Sequence, residues 1–584
     1  MAGKVADFQM MIKGDDLATA VWTLWDKYDK QRAGKVSDWQ EVRDYVFATD
    51  TTKTSNKSLP WKNSTTLPKL CQIRDNLHSN YIAALFSNDD WLKWEGYTLS
   101  DELKEKRENI EAYMKNKTRT PAFRNIISQL LYDYIDYGNA IATATWVNET
   151  KVDPETGEVI PGFIGPKPIR ISPYDVVFNP TAAEFGGTYK IIRSIKTLGE
   201  LQLEAVETEN VYLAKALKEH QDIASNMGQY SSEDARKASG YALDGFGDLK
   251  EYYGSTYVEV LEFWGDLLSP SGELLKDHVI TVIDRRRVIR KQEWPSWFSQ
   301  PPIYHAGWRL RPDNLWAMGP LDNLVGMQYR IDHLENAKAD AVDLAIHPPL
   351  KIIGNVEEFE WHPGCEVHID EGGDVQEVLR NQAWVAQANQ DIGLLEMRME
   401  EFAGAPKQAM GIRTPGEKTA FEVQQLQNAA GRIFQEKITN FEINVLEPLL
   451  NYMLELAKRN LDVMDTVRVS DTELGVEVFV SITKEEITSQ GKLRPVGARH
   501  FSAQSKIIQD LTGLANTNLW AKVEPHVSGK NTAKLIEDTF GLQRFEIFSP
   551  NISIFEQQEL QQLANQAQQT LEEEAVTPVD EGMV

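Results

Sequence analysis

Ala403-Gly-Ala-Pro-Lys-Gln-Ala-Met-Gly-Ile-Arg-Thr-Pro-Gly-Glu-Lys418 separates two helical stretches and decides how the chain is read. It holds three glycines, two prolines and the cations Lys407, Arg413 and Lys418, so it cannot be helical throughout and it presents positive charge on a turn. The segment before it, from about Gln387 to Phe402, has amphipathic helical spacing. After it, Phe421, Leu426, Ala430, Ile433, Phe434, Ile438, Phe441, Val445, Leu449 and Met453 recur at the same spacing. A helix that far beyond the usual ~11 residues needs a large surface to pack on.

Working outward, residues 1–138 read as a helical layer, with helices over Asp16–Gln31, Ser37–Ala48, Leu67–Phe86, Ser100–Lys115 and Pro121–Tyr137. The period changes after Gly138. Strands are expected at Ala140–Val147, Ile169–Phe178, Tyr189–Ile195, Tyr257–Trp264, His278–Ile283 and Val288–Arg290, with a turn at Asp153-Pro-Glu-Thr-Gly157. Thr197 and Glu200 form a capping-box pattern at the start of a helix from Leu198. Helical spacing returns from Trp316 to Ala345 and stops at His347-Pro-Pro349. Residues 350–380 form a small β-rich insert before helix resumes, Val476–Ile482 is a strand, and the remainder is polar and helical.

Composition narrows the function classes. With 42% hydrophobic and 25% charged residues, 15 Trp and 19 Tyr among 584 residues, the chain is of the ordered type. Its formal charge of -26, from 87 acidic and 61 basic residues, argues against a general nucleic-acid clamp but permits a few placed cations to touch a moving duplex. Cys71 and Cys365 form no disulfide framework. The opening Met-Ala-Gly-Lys-Val-Ala-Asp has no signal-type apolar stretch and no membrane-length apolar run occurs, so a soluble protein made in the cytoplasm is expected.

Several chemical patterns fail on inspection. Gly411-Ile-Arg-Thr-Pro-Gly416-Glu-Lys418-Thr419 approaches a phosphate-binding loop, but Glu417 separates glycine from lysine and a helix stands where a strand is required. His362, Cys365, His368 and Asp370 have ligand-like spacing, yet strand alternation would split them between two faces. No metal site or cofactor is expected. Arg285-Arg-Arg287, Arg290 and Lys291 read as a solvated hairpin, and Trp294, Trp297, Phe298 and Trp308 as an aromatic core under a loop. The many Trp, Asp and Glu residues would also suit a carbohydrate-active enzyme, although no carboxylate pair stands out.

The order of elements, with Leu67-Pro-Lys-Leu70, Ile73-Arg-Asp-Asn-Leu77 and Tyr81, Ile171-Ser-Pro-Tyr-Asp-Val-Val-Phe-Asn-Pro180, Met318-Gly-Pro-Leu-Asp322 with Gln328 and His333, and Thr419-Ala-Phe-Glu-Val423, resembles the portal proteins of tailed bacteriophages. The resemblance implies an α+β, portal-type ring subunit with mainly helical wing, stem and crown and a small β-rich clip. Residues 1–315 and 419–492 would be wing, 316–346 and 385–402 stem helices, 347–384 clip, 403–418 tunnel loop and 493–584 crown with the C-terminal tail. It further implies a dodecameric ring at one capsid vertex of the virion, a channel for DNA packaging and ejection, and a non-enzymatic role. Partners would be further copies of the chain, the major capsid protein, terminase, a tail adaptor and double-stranded DNA bound without sequence preference. Lys407, Arg413 and Lys418 would face DNA. Glu335, Lys338, Asp340, Asp343, Glu396, Arg398 and Glu400 would line the channel, and His362, Glu366, His368 and Asp370 would meet the adaptor.

Overall fold

The structure is a computed structural model. It describes residues 17–47, 63, 66–86, 91–96, 102–152, 159–207, 209–224, 257–268, 274–283, 287–295, 297, 300–346, 350–354, 368, 369, 371–377, 383–403, 433–461, 465–470 and 477–495. The fold is α+β. α1 (Leu17–Val46) is one continuous helix where the sequence suggests two. Gly34 within it disfavours helix by roughly 1 kcal/mol, but Val21, Trp25, Tyr28, Arg32, Val36, Trp39 and Val42 keep one buried stripe on both sides of it, and packing prevails.

The N-terminal half of α1 covers one face of a five-stranded antiparallel sheet ordered β4-β5-β6-β7-β8, comprising Val176–Phe178, Lys190–Thr197, Tyr257–Leu268, Leu274–Ile283 and Arg287–Glu293. Val21, Trp25 and Tyr28 meet Ile191, Leu261, Phe263 and Ile280 there. On the opposite face, α5 (Leu198–Glu207) and α6 (Val211–Ala224) pack on Val258, Val260 and Ile283. The expected capping box is present. Glu200 N donates to Thr197 Oγ1 at 3.1 Å, and Thr197 N donates to Glu200 Oε2 at 2.9 Å.

The link between α1 and this sheet is a buried guanidinium. Arg32 donates to Pro173 O at 2.5 Å, Tyr174 O at 2.6 Å and Val176 O at 2.7 Å, the carbonyls of a 3-10 turn (Pro173–Asp175) and the first residue of β4. Its planar group also lies over the rings of Trp25 and Trp316, a use that needs arginine's flat fork.

The largest core joins α2 (Lys69–Leu85), α3 (Glu102–Thr118), α4 (Pro121–Asp136), the ends of two later helices and a second sheet ordered β3-β2-β9. β2 (Asn139–Val152) pairs with β3 (Val159–Ile171) on one side and β9 (Tyr304–Gly307) on the other. The period change is enforced at Gly138. Its φ of +70° and the closeness of Met318 and Gly319 leave no room for a Cβ, which would lie 2.5 Å from the Met318 carbonyl carbon. Two bidentate ion pairs brace the same corner, Arg170 with Asp133 and Arg74 with Asp136, all contacts between 2.5 and 2.8 Å.

Trp316 belongs to a strand, not to the start of a helix. β10 (Arg309–Arg311) and β11 (Asn314–Met318) form a ribbon, and helix α7 begins only at Val325 and runs to Ile346. A short ribbon of β12 (Leu350–Ile353) and β13 (Asp374–Glu377) follows, then α8 (Ala383–Phe402). Residues 433–460 are helical, with a π turn at Glu442–Leu446 leading into α9 (Glu447–Asn460). The expected strand at 476–482 appears as β15 (Glu477–Ile482) and pairs with β14 (Asp465–Ser470). β16 (Gly491–Pro495) returns to pair with β1 (Leu92–Gly96); the rest of the expected crown, residues 496–584, lies outside the described residues. Among the described residues no helix is long and apolar enough to cross a membrane.

Candidate functional site: a projecting helical hairpin

α7, the β12–β13 ribbon and α8 form a hairpin whose two ends have different environments. At its base Val325, Ile331, Ile392, Met399 and Ala403 enter the largest core. Towards its tip Val342, Ile346, Ile352, Ile353 and Trp384 are exposed. Of the twenty strongly exposed large apolar side chains among the described residues, ten lie between Val325 and Phe402. That concentration separates the hairpin from an ordinary surface, where such residues scatter singly.

The base is held by polar groups spaced four apart along α7. Gln328 Nε2 donates to Leu67 O at 2.6 Å, its Oε1 accepts from Leu70 N at 3.2 Å, and Asp332 Oδ1 accepts from Leu67 N at 3.2 Å. Further along, Asn63 Nδ2 donates to Asp340 Oδ1 and Asp343 Oδ2, each at 2.8 Å. Burial raises the Asp332 carboxyl to about 6, against the opposing effect of its hydrogen bonds from Leu67 N and Gln328. α8 is tied to α2 by Lys69 and Glu400, paired at 2.6 Å with side chains only 6% and 7% exposed.

These contacts redistribute the residues expected to line a channel. Glu400 and Asp340 are buried against the body, and Asp343 is half-buried beside Asn63. They face inward because they satisfy the Asn63–Leu70 segment, which supplies a cation, an amide and main-chain donors that each need an acceptor. Glu335 and Lys338 pair at 2.5 Å, and Lys338 reaches Asn389 Oδ1 on α8 at 3.3 Å, so this pair bridges the two helices. Glu396 is half-buried and Arg398 exposed.

Of the expected adaptor contacts, His368 is exposed, whereas His362, Glu366 and Asp370 lie outside the described residues. Lys407, Arg413 and Lys418 lie outside them too. The expected loop leaves α8 at Ala403, which is buried. Among the described residues no group of three or more His, Cys, Asp or Glu side chains could hold a metal ion. The residues missed by sequence reasoning are Asn63, Lys69 and Asp332. For Asp332 a signal was available: Gln328, Asp332, Asn336 and Asp340 recur every four residues, a polar stripe that normally marks a solvated face but is here the buried one; Asn63 and Lys69 carried none.

No family model matches the chain, and no curated protein matches it significantly.

Proposed function

We propose that the chain is a subunit of a homo-oligomeric ring in which the α7–α8 hairpins pack side by side around a central passage. The particular ring is a phage portal, the conduit at one capsid vertex through which DNA is packaged and ejected, with terminase, capsid and tail adaptor as its other partners. The observation that carries the reading is the hairpin: anchored at its base, apolar towards its tip, and joined among the described residues by a two-stranded ribbon with Ile352 and Ile353 both exposed. An isolated two-stranded ribbon is at best marginally stable in water, and lateral contact with neighbouring copies supplies the missing burial. Overall acidity suits a passage that must not trap DNA, with Lys407, Arg413 and Lys418 as its few cations towards the duplex. The enzyme readings have no comparable support.

Electron microscopy of the purified chain tests this directly. Class averages with a central hole support the ring and give its copy number. Replacing Ile352 and Ile353 together by Lys breaks the rings while leaving the wing folded. Monomers at every concentration examined, or rings indifferent to that double substitution, would overturn the hairpin's role. In assembled particles, Lys407→Ala with Arg413→Ala reduces DNA packaging or retention. Unchanged packaging removes the loop from the proposal.

A further inference from the structure

The outer faces of α7 and α8 carry matching stripes. Gly326, Arg330, His333 and Ala337 on α7, and Gln390, Leu394, Met397 and Glu401 on α8, each follow the four-three-four spacing that keeps side chains on one line of a helix. All are exposed except Ala337, which is half-buried, whereas α7 turns Gln328, Asp332, Asn336 and Asp340 inward. The two helices run antiparallel as arms of the hairpin, and the Lys338–Asn389 contact at 3.3 Å fixes their relative height. Equal steps from that contact set Gly326 level with Glu401, Arg330 with Met397, His333 with Leu394 and Ala337 with Gln390.

The stripes are also opposite in charge. Arg330 and Glu401 take part in no ion pair or hydrogen bond among the described residues, although paired charges stand close by in Glu335–Lys338 and Lys69–Glu400. Between them on α8, Leu394 and Met397 are 40% and 57% exposed. Asp391 and Arg398, exposed as well, stand on the next line round α8 and sum to no net charge. Glycine is unfavourable in a helix, yet a Cβ added at Gly326 would meet nothing within 4 Å. Its small size is spare within the chain and leaves room for a helix from outside.

We propose that in the ring the α7 stripe of each copy seats the α8 stripe of the next as a knobs-into-holes seam, with Arg330 paired to Glu401 of that next copy. The inference rests on the ring reading and gives it a direction, since the contact is head-to-tail and closes by rotation. Rotation about a central axis along the hairpins preserves height, so Arg330 falls beside Met397 of the next copy. Glu401 lies one turn further along, within reach of a guanidinium. The self-matched alternatives lack this pairing: α7 against α7 brings Arg330 and His333 of two copies together, and α8 against α8 leaves Glu401 with no cation on its line. Opposite charges flanking an apolar seam select partner and orientation, as they do in coiled coils.

Two measurements on the full chain test this. Arg330→Glu and Glu401→Arg should each raise the concentration at which rings form, read by mass photometry, at least about tenfold, because like charges then face each other across every seam. Both substitutions in one chain should return it to within about threefold of the parent. Separately, Gly326→Cys with Glu401→Cys, treated with a short bismaleimide, should give a ladder of covalent multimers on denaturing gels that neither single variant nor the parent gives. Circular dichroism should match the parent throughout, since every altered position is exposed. The seam is overturned, with the ring reading intact, if rings form equally well in both charge-reversed single variants, if the double exchange is no better than either, or if the cysteine pair gives no ladder. A parent chain that forms no rings at any concentration overturns the ring reading, and the seam with it.

Discussion

Lys69→Met separates a structural role for the Lys69–Glu400 pair from a decorative one. The pair is nearly water-free, 2.6 Å long and bridges α2 to the last turn of α8. Methionine keeps the length and apolar stem of lysine but removes the charge, so Glu400 stays in the core without that cation and Gln72 loses its donor at 3.0 Å. Removing one partner of a buried pair costs about 3–5 kcal/mol, whereas replacing both by apolar groups is often close to neutral. The loss falls on the base of the hairpin, and native-state hydrogen exchange reads it there. Amides of Met399–Phe402 should lose two to three orders of magnitude of protection, at ~1.4 kcal/mol per decade, with those of the five-stranded sheet unchanged. Lys69→Met with Glu400→Leu should recover most of it. Unchanged protection in the single variant, or a double variant no better than the single, would refute the account.

Three further outcomes are expected. Arg32→Lys should lower the denaturation free energy by roughly 2 kcal/mol and Arg32→Ala by more, since an ammonium cannot serve three carbonyls and two ring faces together; denaturant titration followed by Trp fluorescence decides. Gly138→Ala should cost at least about 3 kcal/mol, or abolish soluble expression, because it combines a left-handed backbone with a backbone clash. Asp332 has a folded-state value raised to about 6 from 3.8, so its contribution is fully present below about pH 4 and is lost as the pH rises through 6. Asp332→Asn, which keeps an acceptor for Leu67 N, should therefore stabilise the protein at pH 8 by about 1 kcal/mol, once solvent screening is allowed for, and little at pH 4; thermal melts at the two pH values measure the difference.

Much of the fold was legible because local signals agreed with the tertiary ones. Thr197 and Glu200 announce a helix start that forms as read, and the change of period at Gly138 marks a true helix-to-strand junction. The failures share a cause. Gly34 argues for a break in α1, but two packed clusters on either side of it decide otherwise. Trp316 has helical neighbours in sequence, yet stacking with Phe178 at 4.3 Å and edge contact with Trp39 at 5.4 Å fix it in a strand. At the candidate site, the charged residues of α7 and α8 are visible in the sequence but their partners are not. Whether Glu400 meets solvent or Lys69 depends on a residue 331 positions away, and no window along the chain contains both.

The pairing of β1 with β16 sets a timetable for synthesis. Trp94 lies opposite Leu493, so β1 leaves the ribosome 399 residues before its only strand partner among the described residues. At the usual ~5–20 residues per second that interval is roughly 20–80 s, far longer than the microseconds a hairpin needs to form. Through it the nascent chain carries β1, with Trp94 at its centre, as an open edge. The N-terminal helical layer must therefore be held, by its own packing or by a chaperone, in a state that admits a strand arriving last.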